Sequence, residues 1–395
     1  RLGVSPSKEL QHVHERILSG RFELPQNTDR PAFGRHVISY RKPAQLPPGL
    51  PELVGREKEQ EQVERLLAGA EASSSVAVCV VGGVAGVGRT AFATTVAHRL
   101  ADRFPDGQLF ADLQGDGPGA EPRDPAEVLA DLLQSLGTRP EAVPETMRAR
   151  GLMFRDLLAR RRTLLVLDNA HSGSQLKHLI PASPGSMALV TSRMQLHTLV
   201  AAHQALPLTL LPLSQADARS LLARRLGATR TAAEPEAVDR IIRLAGQLPL
   251  ALANIAARAA YRPQLRLESL ADEYASGKSA LDAFTSEDDP VLDVRAALAR
   301  SYRLLDPEAA SLFRALSVWP GTVFGMSDAA SMAEQPEQRV RQTLARLIHA
   351  HLVSEIVPGR YDWNRLVAAY AAEQARTDTD EAPADAVTHE LSHDL

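Results

Sequence analysis

The sequence predicts a doubly wound α/β domain built on a parallel sheet, followed by an all-α helical domain and then a winged-helix domain. Three observations carry this. Val76–Val81, Leu164–Leu167 and Met187–Val190 are continuous apolar runs, and strands without polar alternation suit a sheet buried on both faces. Helical segments lie between them, such as Phe92, Val96 and Leu100 at i, i+4 and i+8; strands alternating with helices argue for parallel β-α units. Beyond residue 228 the strand signal fades, and 234–260, 265–276, 291–304 and 306–318 are helical in period. Asp306-Pro307 is a good helix start. Near the end, 352–357 and 360–363 flank Pro358-Gly359, a hairpin-like turn after helices, which is the outline of a winged helix.

Taken in order, Leu10, Val13, Ile17 and Leu18 share one face of an amphipathic helix. The proline-rich stretch after it offers that face no partner, so residues 1–24 are expected to end an upstream domain. Pro25, Pro31, Pro43, Pro47, Pro48 and Pro51 punctuate a connection too irregular for one element, and 25–50 is expected to be linker. The α/β domain is expected over 51–227, the helical domain over 228–285 and the winged helix over 286–372. Residues 373–395 close the chain as an acidic tail, since the last 25 residues hold 7 acids and a single Arg.

Composition excludes several classes. The 395 residues are 44% hydrophobic but only 4% aromatic, so Leu, Val, Ile and Ala must fill the cores. One cysteine, Cys79, excludes an intramolecular disulfide framework and a cysteine-based zinc cluster; inside the first apolar run it reads as a core residue. No apolar run reaches the roughly 18–20 residues of a membrane span. No secretory signal opens the chain, which begins at Arg1 as a fragment of a longer protein would. The expectation is a soluble, cytoplasmic protein. Residues 1–50 carry 8 Lys/Arg against 4 Asp/Glu within a chain of net charge −4, and nothing there forms a nucleic-acid patch of its own.

The strongest motif is Gly83-Val84-Ala85-Gly86-Val87-Gly88-Arg89-Thr90, between a strand and a helix, where the Walker A pattern GxxxxGK[ST] belongs. Glycines let backbone N–H groups wrap a phosphate without Cβ obstruction, and the following helix turns its positive end to the same anion. Thr90 offers a hydroxyl to Mg²⁺. Arg89 stands where Lys is expected, and its planar guanidinium does not reach a γ-phosphate as an ammonium does. The plainer alternative is a tight glycine turn without a ligand. Asp168 closes Leu164–Leu167 as a Walker B carboxylate for Mg²⁺, or else caps the next helix. Asn169 follows, where many ATPases carry the acid that polarises water, and an amide cannot take that proton. Arg193 follows the run Met187–Val190, at a strand end that faces the nucleotide crevice in such sheets; it is a γ-phosphate sensor or a solvated strand end. Asn169 and Arg193 are thus the candidates near a γ-phosphate.

These residues, in this order, resemble the NB-ARC subgroup of signal-transduction (STAND) ATPases. Leu53-Val54-Gly55-Arg56-Glu57-Lys58-Glu59 is similar to its hhGRExE adenine-side motif, Val190–Arg193 to its sensor-1 segment, and Gly246-Gln247-Leu248-Pro249-Leu250-Ala251 to its GLPLA motif, whose proline packs on adenine. The resemblance implies nucleotide contacts from Val54, Arg56, Gly83, Gly86, Val87, Gly88, Arg89, Thr90, Ala91, Arg193 and Pro249, with Mg²⁺ on Thr90 and Asp168 and ATP or ADP as ligand. Phe104–Leu109 and Leu167–Ala170 further resemble the Streptomyces antibiotic regulatory protein (SARP) family. That implies an upstream domain that binds promoter DNA and RNA polymerase, a self-oligomer, and no membrane. Gln247 departs from the GLPL glycine, and Asn364 and Arg365 stand where the family has a His-Asp pair whose histidine contacts the ADP β-phosphate.

Other signals point less far. His389-Glu390-Leu391-Ser392-His393 spells HExxH, but near the chain end no core can hold a zinc cleft. Arg160, Arg161 and Arg162 read as a solvated helix end. Three functions are open to such a chain: a nucleotide-gated regulatory module, a degenerate interaction scaffold, or a competent ATPase. The first accounts for most of the motifs, with at most slow hydrolysis.

Overall fold

The computed structural model describes residues 40–115, 122–277, 279–285 and 292–381, all within the unit Tyr40–Leu395. The helix expected in 1–24, the linker residues 25–39 and the tail 382–395 with its HExxH lie outside the described residues.

The first half alternates strands and helices: α1 (Glu57–Ala72), β1 (Ala77–Gly83), α2 (Arg89–Leu100), β2 (Gln108–Asp112), α3 (Pro125–Ser135), α4 (Met147–Leu158), β3 (Leu164–Ala170), α5 (Gly173–Leu176), β4 (Met187–Ser192), α6 (His197–His203) and β5 (Leu206–Leu210). The five strands form one parallel sheet in the order β2-β3-β4-β1-β5. β1 and β4 are buried along their whole length, which is why their sequences show no polar alternation. Successive side chains point to opposite faces. Ala77, Cys79 and Val81 therefore pack with Val63, Leu67, Phe92 and Val96 of α1 and α2. Val78 and Val80 pack with Leu129, Leu132, Phe154 and Leu158 of α3 and α4. Both faces are covered, so the sheet is doubly wound. Helix starts follow local chemistry: the Asp124 carboxylate accepts from Ala126 N ahead of Pro125 at the first helical position, and Thr146 Oγ1 accepts from Ala149 N.

Residues 40–46 of the expected linker form a strap along β2. Ala44 forms a parallel bridge with Gln108, Gln45 N donates to Gln108 O (3.0 Å), and Gln108 N donates to Pro43 O (2.8 Å). β2 is an outer strand, and this strap covers its free edge. The Arg161 guanidinium lies over the Tyr40 ring at 3.2 Å, and Arg162 pairs with Glu71 at 2.5 Å. Two of the three arginines read as a solvated helix end, Arg161 and Arg162, thus fasten the strap and α1.

The second half begins one helix earlier than expected. α7 (Gln215–Leu226) starts on a Ser214 cap, with Ser214 Oγ accepting from Asp217 N. It buries Ala218 and Leu222 in the same cluster as Ile241 and Ile242 of α9 (Pro235–Leu244) and Leu252 and Ile255 of α10 (Pro249–Ala260), with the short α8 (Ala228–Ala233) between. The packing seam therefore precedes residue 214 rather than following 227. Next come α11 (Leu267–Ala275), α12 (Val294–Tyr302), α13 (Pro307–Ala315), β6 (Val323–Gly325), α14 (Met326–Ala333), α15 (Glu337–His349), β7 (Ser354–Val357), β8 (Arg360–Asp362) and α16 (Arg365–Glu381). Asp306 caps α13 through Ala309 N, as the Asp-Pro pair suggested. Three short strands pair antiparallel in the order β6-β8-β7. Phe313 and Phe324 each meet Trp363 edge-on beside them, and Tyr370 lies tilted against Phe313. Among the described residues one apolar cluster takes in Leu213 to Ala371 together with Ala85 of the glycine loop, so residues before and after 285 share a core. The stretch expected as an acidic tail from 373 continues α16 to Glu381. Among the described residues, no helix is long and apolar enough to cross a membrane.

Candidate nucleotide-binding site

The glycine loop leaves the carboxyl end of β1 and enters α2. Gly83, Gly86 and Gly88 have φ of 135°, 81° and 94°, a region that side chains with a Cβ avoid. A Cβ on Gly83 would come within 2.5 Å of Leu210 O, whereas one on Gly88 would meet nothing within 4 Å. The space over Gly88, at the amino end of α2, is therefore open to an anion.

Thr90 and Asp168 come together as the motifs suggested. Thr90 Oγ1 donates to Asp168 Oδ1 and Oδ2 at 2.9 and 3.1 Å. Thr191 Oγ1 donates to Oδ1 at 2.6 Å. Burial raises the Asp168 carboxyl above its usual range and Asp112 adds to this, against the two hydroxyls and Arg89. A hydroxyl beside a carboxylate is a hard oxygen set that fits Mg²⁺. Among the described residues no group of three His, Cys, Asp or Glu could hold another metal.

Asn169 has φ of 58°, where β3 shifts register between Leu167 and Ala170. Asn tolerates this left-handed conformation better than most residues, which gives it a conformational reason to be there. Its N–H donates to Thr191 Oγ1 at 2.9 Å.

Arg89 folds back onto the loop itself, donating to Gly83 O and, at 3.2 Å, to Val84 O. Arg56 is buried, and its guanidinium donates to Leu211 O (2.7 Å), Val87 O (3.5 Å) and Glu59 (3.3 Å). It ties the hhGRExE segment to the loop and to the end of β5.

Beside the loop, a cavity of about 450 Å³ brings together Val54, Arg56, Val87, Gly88, Ala91 and Pro249, a volume of the size small-molecule sites have. Leu213, Leu221 and Arg225 complete its wall, and Glu52 pairs with Arg224 near its mouth. Pro249 opens α10, and Leu250 N donates to Gly86 O at 3.1 Å, docking the GLPLA turn on the glycine loop. Gln247 has φ of 59°. That explains why a glycine suits the position, and the left-handed form costs a side chain about 1–2 kcal/mol.

Arg193, at the end of β4, reaches the C-terminal helices. Its guanidinium donates to Ala297 O and Ser301 Oγ of α12, each at 3.0 Å. Asn364 donates to Gly246 O (2.6 Å) and caps α16 through Leu366 N, and Arg365 donates to Arg243 O (3.2 Å). Both therefore hold the turn after α9.

Residues 73–234 match the AAA domain family. A regulatory protein AfsR of Streptomyces griseus is 37% identical over 382 residues, covering 97% of this chain. A second AfsR, of Streptomyces coelicolor, is 34% identical over 384 residues, covering 96%. Its homologues are AfsR regulatory proteins. The chain spans 38% of the length of each of these two relatives. With the parallel sheet, the AAA match makes residues 73–234 of this AfsR homologue a P-loop α/β domain. The Aeropyrum pernix ORC2 structure is 12% identical with a TM-score of 0.49, covering 88% of this chain and 98% of that one. A STAND protein with a tetratricopeptide repeat sensor, from Pyrococcus horikoshii, is 15% identical with a TM-score of 0.39, covering 84% and 44%. Neither likeness is close enough to carry an argument.

Two residues of the site in this AfsR homologue have roles that the sequence does not announce. Thr191 lies in the sensor-1-like segment, where Arg193 is the candidate, yet it is Thr191 that holds both Asp168 and Asn169. His351 follows α15 with φ of 54° and lies so near Gly82 that a Cβ there would be 2.5 Å from its Nε2. Burial, Arg89 and His349 push its imidazole down to about 4.

Proposed function

We propose that this chain is a nucleotide-dependent switch that binds ADP or ATP with Mg²⁺ and controls an upstream DNA-binding domain of a cytoplasmic transcription regulator, with self-assembly as its output. Promoter DNA and RNA polymerase are reached through that upstream domain. In this reading the helical domain, expected over 228–285, begins with α7, and 286–372 form a winged-helix domain that shares its core; the three-stranded antiparallel sheet beside α12–α15 supports the second assignment. The observation that carries the proposal is the cavity beside the glycine loop, where Val54, Val87, Gly88 and Pro249 converge.

Adenine lies in that cavity against Val54 and Pro249. The phosphates follow over Gly86 and Gly88 to the amino end of α2, whose N–H groups bind them. Thr90 and Asp168 would hold Mg²⁺, which would supply charge neutralisation to the phosphates. Arg89 leaves the Gly83 and Val84 carbonyls to meet the same charge. Arg193 is held by α12, so a γ-phosphate and α12 compete for one guanidinium, which couples the nucleotide to the C-terminal helices. With an amide at Asn169, no acid orients the attacking water, and turnover is slow.

Calorimetric titration with Mg-ADP and Mg-ATP tests the reading. Both bind, and Thr90→Ala and Asp168→Ala weaken mainly the Mg²⁺-dependent part. No heat at millimolar ligand with folded protein would overturn it.

A further inference from the structure

We propose that the seam between the C-terminal helices and the strand ends of the P-loop sheet is a proton-sensitive latch, held shut by the packed rings of His197, His349 and His351. The proposal goes beyond nucleotide binding and does not depend on it. The rings of His197, at the start of α6, and His349, at the end of α15, stack across the seam with centroids 5.3 Å apart and planes 17° from parallel. Beside the stacked rings, Gln195 N donates to His349 O at 2.9 Å. Two residues on, the left-handed turn at His351 brings its ring onto Gly82, at the end of β1, where only a glycine leaves room. The same few residues therefore make both the polar and the ring contacts between α15 and the sheet.

The charges around the rings decide what a proton does. His349 faces His197, and its imidazole is lowered by burial and by that neighbour; His171 lines the same cleft. His351 faces Arg89 of α2 and His349, and both lower it further after burial. It also lines a cavity with Arg243 of α9, Arg365 of α16, Glu355 of β7 and Asp362 of β8. Glu355 and Asp362 would steady an imidazolium and Arg243 and Arg365 would oppose it; burial, then Arg89 and His349, lower the imidazole. A proton on either ring places positive charge against Arg89 or against a stacked imidazole.

The sign comes from linkage. In the separated state His351 has its ordinary value near 6.5, and in the closed state about 4, so the open state binds the proton more readily. Closure keeps its full strength above the ordinary value. It weakens as pH falls below that value, until the closed-state value is reached. From pH 7.5 to 5.5 this one group weakens closure about tenfold, and His349 adds in the same direction.

Hydrogen exchange on the full chain without nucleotide tests the latch, read at the Gln195 amide and over α12, with the intrinsic pH dependence of exchange divided out. Protection in the wild type is expected to fall about tenfold between pH 7.5 and 5.5, while β1 amides stay protected. In a chain carrying His349→Gln and His351→Asn (asparagine tolerates the left-handed turn), protection is expected to be flat with pH. His197 is exposed, so His197→Gln should fold and show a shallower fall, a check that holds even if the double variant does not fold. No fall in the wild type, or an equal fall in His197→Gln and the double variant, overturns the latch. Because no nucleotide is present, neither result bears on nucleotide binding, and a failed calorimetric titration leaves the latch standing.

Discussion

Replacing Thr191 by valine should injure the site through hydrogen bonding alone. The side chains are nearly the same shape and Thr191 is 2% exposed, so no cavity opens. The substitution removes the bond to Asp168 Oδ1 at 2.6 Å and the acceptor for Asn169 N–H at 2.9 Å. A hydrogen bond to a charged group contributes about 1.5–3 kcal/mol, and a buried N–H left without a partner costs about 1–3 kcal/mol. Allowing for partial relaxation, the expected loss is roughly 2–4 kcal/mol at pH 7.5. The pH dependence adds a signature. Asp168 has a raised carboxyl in the folded protein, so the stability it contributes is present at low pH. That stability is lost as pH rises from the ordinary carboxylate value through the folded one. Valine removes a donor that favours the ionised form and raises the carboxyl further, so the penalty should grow from pH 4 to 7.5. Urea unfolding of wild type and Thr191→Val at both pH values measures it. A loss under about 0.5 kcal/mol at pH 7.5, the size of an ordinary surface substitution, or a loss independent of pH, would refute the role given to Thr191.

Two further substitutions probe neighbouring claims. Asn169→Asp keeps a residue that tolerates φ of 58° and installs a carboxylate near the water. Single-turnover hydrolysis should rise by about 10²-fold or more, and an unchanged rate with intact nucleotide binding means the slow step lies elsewhere. Gly107→Ala, at φ of 122°, would put a Cβ 2.7 Å from Pro43 O and should displace the strap along β2, at about 1–3 kcal/mol for the strained backbone. Protease cleavage within residues 40–46 should rise sharply, and cleavage no faster than in wild type would show the strap is not held there.

How much was legible in the sequence varies with the physics behind each feature. The sheet was, because buried strands such as Val76–Val81 must be uniformly apolar. The glycine loop was, because its three left-handed positions admit little else, and the Asp306-Pro307 helix start was a local signal of the same kind. The strap was not: prolines 43, 47 and 48 look irregular, and the free edge of β2 and Arg161, far along the chain, give residues 40–46 their partners. Nor was the seam before residue 214, since α7 resembles a helix of the first domain until Ala218 and Leu222 are seen in the second core. Arg193 and His351 show the deepest limit. Where their side chains lie depends on α12 and on Gly82, more than a hundred residues away in the chain, and no local pattern records such a contact.

Thermal unfolding of the folded chain with and without Mg-ADP tests the central claim most directly, because a ligand that binds only the folded state must stabilise it. At a hundredfold excess over the dissociation constant the gain is about 2.7 kcal/mol. The account predicts a rise of several degrees in the transition of the P-loop domain, reduced by removing Mg²⁺ and reduced again in Asp168→Ala. No rise at millimolar Mg-ADP or Mg-ATP, in a chain whose circular dichroism shows it folded, would contradict it.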